Sequence, residues 1–325
     1  MSVAVVIPCR NEASSIRDLL NALAGQTTTP SEIVVVDDGS TDGSGGIVRE
    51  WGAAHPLLPV RLVPGTGRGP GPAMNTGVAA TSADVIVRLD GHSTPCADYV
   101  ERSIRLAADP RVGVAGGRWE VVPGARTAIG RAIAAVVTHP LGSGGARYRH
   151  PARAGSAPAS VETVPFGTFR RAVWEQLGGF DESLAANEDF DFNYRARRAG
   201  FDVVFDAGIT ARYVARPTLA ALGRQYFRYG FGKLQMLRKD SQALHWRQLP
   251  PILLLPWVVV TAVQTAFWPS PFSVMLAGLY PAVLVLGAAH VAMRGVPAPA
   301  ALAALATLQL CWSAGFWRGM FGRRP

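Results

Sequence analysis

The C-terminal part of the chain carries the feature that most restricts its fold. No Asp, Glu, Lys or Arg occurs in the 46 residues from 248 to 293, and none occurs from 295 to 317. A globular core does not require such stretches, whereas a helix of ~20 apolar residues is what crosses the hydrocarbon layer of a membrane. We therefore predict apolar membrane helices, interrupted by WPSP and RGVPAP, at about 251–268, 272–293 and 299–317.

The number of membrane crossings has two interpretations. The first uncharged stretch would span roughly 69 Å as a helix, about twice the hydrocarbon thickness, so it favours two crossings. The third segment is long enough for another crossing. Three crossings would place the basic end GRRP (322–325) outside, against the tendency of basic residues to stay inside. Two crossings with an interfacial third helix would keep it inside, and both arrangements stay open.

The preceding part, about 1–240, has the mixed composition of a globular domain. The net charge of the chain is +9, but the tail after Asp240 holds five arginines and no acidic residue, which leaves 27 basic and 23 acidic residues before it. The sequence has no cluster of Lys and Arg interleaved with aromatics, so nucleic-acid binding is not indicated. The tail arginines indicate juxtamembrane charge facing anionic lipid, or an arginine bias of the genome. Two domains are predicted, 1–240 and 241–325, with the membrane as a partner.

Cysteine usage and the N-terminus indicate a reducing compartment. Cys9, Cys96 and Cys311 fit no zinc spacing, and their odd number argues against a disulfide framework. The start, MSVAVVIPCRNE, has too short an apolar run and no basic region for a signal peptide. The globular domain is therefore expected to lie in the cytoplasm.

Strand and helix patterns alternate along the globular domain. Short β-branched runs predict strands, and apolar residues at helical spacing before a Gly predict helices. The predicted strands are 3–8, 32–38, 60–63, 84–90 and 201–206, and the predicted helices lie within 12–26, 45–53, 71–83, 169–184 and 188–200. This order predicts an α/β fold with a mostly parallel sheet and helices on both faces. The segment 139–162, rich in Gly, Pro, Ala and Ser, is predicted to be a mobile loop.

The second predicted strand ends on two adjacent carboxylates, in IVVVDDGSTDGS (33–44). Ligands of parallel sheets bind at the carboxyl ends of strands, where Asp37, Asp38 and Asp90 all fall. The pair can accept hydrogen bonds from a nucleobase or ribose, or help hold a cation. Alternatively, it caps the following turn by accepting backbone N–H groups. Rival nucleotide motifs are missing, since GTGRGPG has Pro70 at the third glycine position and no P-loop occurs.

Six motifs occur in the order seen in family 2 glycosyltransferases. They are VVIPCRNEASSI, EIVVVDDGSTDGS, GPGPAMNTGVAA, VIVRLDGHS, GTFRRAVWEQLGGFDESLAANEDFDFNYRARRAGF and RQYFRYGFGK. Over roughly residues 3–235 the chain resembles this family, and most of all its bacterial exopolysaccharide branch of the succinoglycan-biosynthesis type, with C-terminal membrane helices. The resemblance implies the GT-A fold, which is Rossmann-like, and a membrane enzyme whose catalytic domain faces the cytoplasm.

The same resemblance implies the reaction and its partners. The activity would be inverting transfer of a sugar from a nucleotide diphosphate sugar, with a UDP-sugar as the expected donor. The acceptor would be membrane-associated and lipid-linked, carried by a polyprenyl group, in exopolysaccharide or cell-envelope glycan synthesis at the inner (plasma) membrane.

The donor and metal residues are also assigned by the resemblance. Positions that match the nucleotide site are Pro8, Arg10, Glu12, Asp37, Asp38 and Arg68. Asp90 opens the metal-binding D-x-D motif, which here reads Asp90-Gly91-His92, so that His92 stands at the second ligand position. Imidazole is a better ligand for Mn²⁺ than for Mg²⁺, although a lone His after a strand is commonly a surface residue. The expected cofactor is Mn²⁺ or Mg²⁺.

Two further motifs supply the expected chemistry. NED matches the family's acidic motif, with Asp189 as the base that takes the proton of the acceptor hydroxyl and Glu188 as its helper. Alternatively, these carboxylates are negative charges that the macrodipole stabilises at a helix N-terminus. This alternative fits Asp191 better than Asp189. Gln225-x-x-Arg228-Tyr229 resembles Q-x-x-R-W with Tyr in place of Trp, and Arg228 can contact phosphate. The three are assigned to donor binding.

Two other functions compete with this prediction. The altered D-x-D motif is compatible with a catalytically weak nucleotide-sugar-binding scaffold in a polysaccharide assembly complex, although the intact NED argues against it. A processive synthase is also conceivable, but such enzymes usually carry membrane helices on both sides of the catalytic domain, and this chain has none before 240.

Overall fold

The computed structural model describes residues 1–150, 156–184 and 186–321. Within them, nine strands form one mixed sheet. They are β1 (Val3–Cys9), β2 (Glu32–Asp37), β3 (Val60–Pro64), β4 (Val85–Arg88), β5 (Ser93–Pro95), β6 (Val112–Val122), β7 (Ala159–Ser160), β8 (Thr168–Arg170) and β9 (Asp202–Val214).

Twelve α-helices occur in the same described ranges. They are α1 (Ile16–Ala24), α2 (Ser44–Ala54), α3 (Pro70–Ala79), α4 (Tyr99–Ala107), α5 (Ala128–Val137), α6 (Pro140–Ser143), α7 (Arg171–Leu177), α8 (Glu188–Arg198), α9 (Leu219–Lys239), α10 (Leu249–Phe267), α11 (Pro271–Ala292) and α12 (Ala298–Met320).

The sheet is parallel in one half and antiparallel in the other. Its order is β3-β2-β1-β4-β8-β6-β9-β5, with β7 also paired to β9. The first three pairings are parallel, whereas β8 lies antiparallel to β4 and to β6, and β5 and β7 lie antiparallel to β9. The predicted α/β class is therefore confirmed, but the sheet is mixed. The antiparallel strands β5, β7 and β8 have only two or three residues each, too few for a recognisable sequence pattern.

Both faces of the parallel half are buried. Along β1 the side chains of Ala4 and Val6 share one face and those of Val5 and Ile7 the other, because strand residues alternate, and all four are fully buried. The first face packs in a core cluster with residues of α3 and α8, including Met74. A sheet covered on both sides leaves ligands the strand ends, which is where the candidate site forms.

The described residues divide into two compact units. The first comprises Met1–Glu120 and Arg147–Tyr213, and the second comprises Val121–Ala146 and the chain from Val214 onward. This grouping differs from the predicted boundary at 240, because α5, α6 and α9 belong with the apolar helices. The functional division into a catalytic domain and an anchoring domain stays a prediction.

Glycines bring α9 and α12 together inside the second unit. A Cβ on Gly230 would lie 1.9 Å from the carbonyl oxygen of Trp312, and one on Gly315 would lie 2.0 Å from the carbonyl oxygen of Phe227. The two backbones therefore touch, as in small-residue helix crossings of membrane proteins. This contact explains why α9, which the sequence pattern assigned to the globular domain, is part of the helical unit.

Three helices in the described chain are long and apolar enough to cross a membrane, judged by length and composition. They cover Trp246–Phe267, Pro271–Ala292 and Ala298–Met320, close to the three predicted segments. Large apolar side chains such as Leu253, Val260 and Leu286 are exposed on them, as a lipid-facing surface requires. The basic end GRRP lies outside the described residues, and the choice between two and three crossings stays open.

The segment 139–162 contains regular structure in its described part, so its prediction as a loop is wrong there. It includes α6, a 3₁₀ turn at Arg147–Arg149 and β7, while residues 151–155 lie outside the described ranges. Pro140 stands in the first turn of α6, and Gly144 ends it with a φ of +60°. Pro and Gly, which suggested a loop, here mark the start and the end of a helix.

Candidate functional site

The turn after β2 is tied to the loop after β1. Oδ1 of Asp37 accepts a hydrogen bond from the backbone N–H of Ser40 at 2.8 Å, so Asp37 caps the turn as the alternative interpretation expected. Oδ1 of Asn11 accepts from the N–H of Thr41 at 2.8 Å, and the N–H of Glu12 donates to Oγ of Ser44 at 2.8 Å. The polar residues of DDGSTDGS therefore hold the RNE segment at the sheet edge.

Asp38 shapes the loop that follows β3. Its side chain is buried, and its two oxygens accept hydrogen bonds from the N–H groups of Gly67 at 2.7 Å and Gly69 at 2.8 Å. A Cβ on Gly65 would approach Oδ1 of Asp38 to 2.8 Å, so only glycine fits there. Asp38 thereby fixes the loop that presents Arg68.

The other predicted donor residues of the first unit surround this loop. Arg68 is exposed and forms an ion pair with Glu182 at 2.5 Å. Arg10 is also exposed, and its Nη1 donates to the carbonyl oxygen of Gly67 at 3.4 Å. Pro8 is half-buried and pairs with Val36 in the β1–β2 register. Their contact with a nucleotide stays a prediction.

Arg88, which sequence reasoning missed, joins two predicted motifs. This residue is buried at the end of β4, where its Nε lies 3.1 Å from Oδ1 of Asp90 and its Nη2 lies 2.8 Å from Oε1 of Glu188. The Asp-Gly-His segment and the NED motif are therefore held by one guanidinium. A signal was present, because an arginine inside the apolar run VIVRLD requires a buried anionic partner.

Asp189 is electrostatically suited to accept a proton. Burial, reinforced by the neighbouring charge of Glu188, raises its pKa to about 6, while the positive charge of Arg88 opposes the rise. Its Oδ1 accepts a hydrogen bond from the N–H of Phe190 at 2.7 Å. A carboxylate with this pKa is ionised at neutral pH and holds a proton more firmly than an ordinary Asp, as a general base should.

Asp191 has a different environment on the same helix. Its Oδ2 lies 2.7 Å from Nε of Arg195, whose other nitrogens donate to the carbonyl oxygens of Leu177 and Gly179. Asp191 therefore orients the arginine that caps the end of α7. Asp191 also stands in the first turn of α8, where the alternative interpretation expected a favourable negative charge.

Glu12 and His92 form a pair that the sequence did not reveal. Nδ1 of His92 lies 2.8 Å from Oε1 of Glu12, whose Oε2 accepts from Oγ of Ser15 at 3.0 Å. The imidazole also contacts the ring of Tyr213 edge-on, with 5.9 Å between centroids. A carboxylate accepts hydrogen bonds, so the pair places the imidazole hydrogen on Nδ1 and directs Nε2 away from Glu12.

These residues suit a metal that substrate oxygens help to hold. No cluster of three or more His, Cys, Asp or Glu side chains suited to a metal occurs among the described residues. Mg²⁺ and similar ions are commonly held by one or two protein ligands together with substrate phosphates. Asp90 with His92 supplies two such ligands, and a ligating His usually donates its other ring N–H to a carboxylate, as His92 does to Glu12.

Gln225, Arg228 and Tyr229 lie on α9, in the second unit. Nε2 of the buried Gln225 donates to the hydroxyl of Tyr229 at 2.9 Å, and Arg228 is exposed. The motif is thus one helix face in which the amide orients the phenol. Its part in donor binding stays a prediction.

Comparison with known proteins identifies this arrangement. The model named Glycosyl transferase family 2 matches residues 4–178, more than half of the chain. This chain belongs to glycosyl transferase family 2. The match covers the loops after β1, β2, β3 and β4 described above, whereas Glu188 and Asp189 of the NED motif follow the matched range.

Full-length relatives support the same assignment. The family 2 glycosyltransferase is 30% identical to the succinoglycan biosynthesis protein ExoA of Rhizobium meliloti, over 99% of this chain and 96% of that protein. It is also 30% identical to the glycosyltransferase AglE of Haloferax volcanii, over 83% of this chain and 82% of that protein. The predicted resemblance, including its succinoglycan branch, is confirmed, and the protein is a glycosyltransferase.

Solved structures confirm the GT-A fold. The mannosyltransferase PcManGT from Pyrobaculum calidifontis, in complex with GDP-Man and Mn²⁺, superposes with a TM-score of 0.70 at 21% identity, covering 98% of this chain and 87% of that chain. TarS of S. aureus in complex with UDP superposes with a TM-score of 0.51 at 18% identity, covering 100% and 93%. At identities this low, the structural similarity establishes the fold alone, and the substrates have to be argued separately.

Proposed function

We propose that this family 2 glycosyltransferase moves a sugar, with inversion, from a nucleotide diphosphate sugar to a lipid-linked glycan at the inner face of the plasma membrane. The bridge from Asp90 through Arg88 to Glu188 carries the proposal. It holds the acidic motif beside the end of β4, where the family places the donor diphosphate. A base and a diphosphate site are thereby neighbours.

The reaction is a single displacement at the anomeric carbon. The acceptor hydroxyl oxygen bonds to that carbon as the bond from the carbon to the diphosphate oxygen breaks, and the nucleoside diphosphate leaves with the bonding electrons. Asp189 takes the hydroxyl proton, for which its raised pKa suits it. Glu188 stays ion-paired with Arg88 and keeps that guanidinium in place. The sugar is transferred in one step and its configuration inverts.

The donor is held by the loops after the first four strands. Pro8, Asp37, Asp38 and Arg68 would line the nucleoside, with Asp38 acting mainly by shaping the loop of Arg68. A UDP-sugar is the proposed donor. The PcManGT structure contains GDP-Man and the TarS structure contains UDP, so the fold accommodates either base in those proteins.

A divalent cation would be held by Asp90 and His92, together with diphosphate oxygens, and would neutralise the charge of the leaving group. The Mn²⁺ in PcManGT supports this choice. Glu12 orients His92, and Arg88 keeps Asp90 in place through Nε. We propose Mn²⁺ as the better ion, because imidazole suits it better than Mg²⁺.

The apolar helices support a lipid-linked acceptor and a membrane location. Three of them are long enough to cross a membrane, and an anchored enzyme meets a lipid acceptor at high local concentration. We place the catalytic domain in the cytoplasm, where nucleotide sugars are made. The polyprenyl nature of the acceptor rests on the family resemblance.

The decisive experiment uses the full-length protein in lipid nanodiscs. UDP-, GDP- and TDP-sugars are each combined with polyprenyl-diphosphate-linked sugars, and nucleoside diphosphate release and glycolipid mass are measured. We expect nucleoside diphosphate release that depends on the acceptor and prefers one donor. NMR of the product should show that the anomeric configuration of the transferred sugar is inverted. The Asp189→Asn variant is the matched control for contaminating activity. Donor binding without turnover across the panel would instead support the scaffold alternative.

A further inference from the structure

A small cavity lies beside Asp189 in the interior of the first unit. Three polar residues line it, namely Arg88, Asp189 and Asn193, and the remaining wall is formed mainly by Val and Phe side chains. Asn193 follows Asp189 by one helical turn on α8, so both side chains occupy the same face of that helix. The cavity therefore adjoins the proposed base from within the protein.

Two buried polar atoms at this cavity have no hydrogen-bond partner among the described residues, namely Nη1 of Arg88 and Oδ1 of Asn193. Arg88 and Asn193 are only 4% and 2% exposed. The other polar atoms of both side chains are occupied, since Nε and Nη2 of Arg88 hold carboxylates and Nδ2 of Asn193 donates to Oγ1 of Thr163 and the carbonyl oxygen of Val164.

The two atoms are chemically complementary. Nη1 of Arg88 can only donate and Oδ1 of Asn193 can only accept. Leaving such a buried group unsatisfied destabilises the fold, and more so when the group is charged. Native proteins satisfy such groups with an internal water where the space allows, and this cavity has room for about one water molecule.

We propose that the cavity is a binding site for a single internal water that joins Asn193 to the Arg88–Asp189 cluster. The water accepts a hydrogen bond from Nη1 of Arg88 and donates one hydrogen to Oδ1 of Asn193. Its second hydrogen is donated to the carboxylate of Asp189, the third polar group of the lining. This arrangement uses one acceptor site and both donors of the water, within the two to four bonds of a stable buried water.

The site makes Asn193 a positioning residue for the base. This part of the proposal rests on the proposed function of Asp189. A hydrogen bond donated to a carboxylate favours its ionised form. The water therefore lowers the pKa of Asp189, whereas burial raises it. The pKa of Asp189 is also affected by three charged groups, namely Glu188 on α8, Arg88 on β4 and Asp90 after β4. The charge of Asp189 in turn helps to raise the pKa of Tyr148 in the 3₁₀ turn.

The water itself is tested by a crystal structure of the full-length wild-type protein at a resolution that shows ordered solvent. We expect one water within hydrogen-bond distance of Nη1 of Arg88 and Oδ1 of Asn193. An empty cavity, or a direct bond between these two atoms, would overturn the proposal. This result does not depend on turnover, so it stands apart from the test of glycosyl transfer.

The positioning role is tested by filling the cavity. Val164→Ile adds a methyl group at the lining and keeps Arg88, Asp189 and Asn193, so it should displace the water. We expect the acid limb of the pH profile of kcat to move to higher pH. Val78→Ile, in the same core cluster but not at the cavity, serves as the control for overpacking and should leave the profile in place. An unchanged profile after crystallographically proven loss of the water would refute the positioning role.

Discussion

Nη2 of Arg88 lies 2.8 Å from Oε1 of Glu188, although the two residues are 100 positions apart in the chain. The same guanidinium contacts Asp90 through Nε, so one buried cation connects the end of β4 with the start of α8. Two anions 98 positions apart, Asp90 and Glu188, are thereby held in one place. The candidate site depends on this link as much as on the residues of its motifs.

Replacing Arg88 should therefore unfold or disable the protein. Arg88→Met leaves Glu188 buried without its partner, and breaking a buried ion pair in this way costs about 3–5 kcal/mol. Arg17→Met removes the exposed pair with Glu50 and should cost at most about 1 kcal/mol. Thermal unfolding in detergent compares the two variants. Equal stability of both would show that the Arg88 bridge is not a structural link.

Asp189→Asn should abolish transfer and keep donor binding. The amide has the shape of the carboxylate but cannot take the acceptor proton, and loss of a general base typically lowers the rate by about 10²–10⁴-fold. Steady-state kinetics give kcat, and calorimetry gives the donor Kd. Asp191→Asn instead loosens the contact with Arg195. This variant should mainly lower the melting temperature, with only a small effect on kcat. A kcat within a few-fold of wild type for Asp189→Asn would remove it from the base role.

The pH dependence of transfer should show a limb near pH 6. Burial raises the pKa of Asp189 to about 6, so the base becomes protonated as the pH falls through that value and kcat should drop about tenfold per pH unit below it. The profile is measured at saturating donor and acceptor. A rate that stays constant down to ~pH 4.5, well into the protonated range of such a carboxyl, contradicts the assignment.

The same raised pKa predicts how stability varies with pH. The folded protein binds the Asp189 proton more tightly than the unfolded chain does, so this group stabilises the fold at low pH. That contribution is lost as the pH rises through about 6. Asp189→Asn should therefore be more stable than wild type at ~pH 8, with the difference closing below ~pH 4. Denaturant unfolding at the two pH values measures this difference in the free energy of unfolding. If the variant were less stable than wild type at the higher pH, the ionised Asp189 would not be destabilising as proposed.

Glu12 and His92 should control metal affinity. Glu12→Gln weakens the bond that orients His92, and loss of such a partner lowers metal affinity by about 10–100-fold. Titration of Mn²⁺ by electron paramagnetic resonance, with nucleoside diphosphate present, measures this without turnover. His92→Asp creates two carboxylate ligands and should shift the preference towards Mg²⁺. Unaltered Mn²⁺ binding in His92→Ala would exclude His92 as a ligand.

The crossing of α9 and α12 should tolerate no side chain at Gly230. A Cβ there would meet the carbonyl oxygen of Trp312 at 1.9 Å, so Gly230→Ala must separate the helices. Gly278 on α11 has open space around its Cβ position, and Gly278→Ala is the matched control. Melting temperatures in detergent should fall for Gly230→Ala and stay the same or rise for Gly278→Ala. Similar values for both would show that the two backbones are not in contact.

The sequence by itself determined the features that depend on neighbouring residues. Runs such as VAVVIP and EIVVVDD form strands wherever they are buried, and uncharged stretches of more than 20 residues suit only a membrane or a helical core. The α/β class, the positions of the apolar helices and the family could thus be derived from local patterns. The motifs also placed Asp90 and His92 at the end of a strand.

Tertiary structure alone decided which distant residues meet. The pairing of Arg88 with Glu188, that of Glu12 with His92 and the contact of Gly230 with Trp312 each join positions separated by about 80 residues or more. No local pattern encodes them, because ion pairs and backbone contacts are chosen by the folded arrangement of the elements. The short antiparallel strands β5 and β7 were missed for the same reason, since strands of two or three residues form only when a longer strand such as β9 supplies their hydrogen bonds.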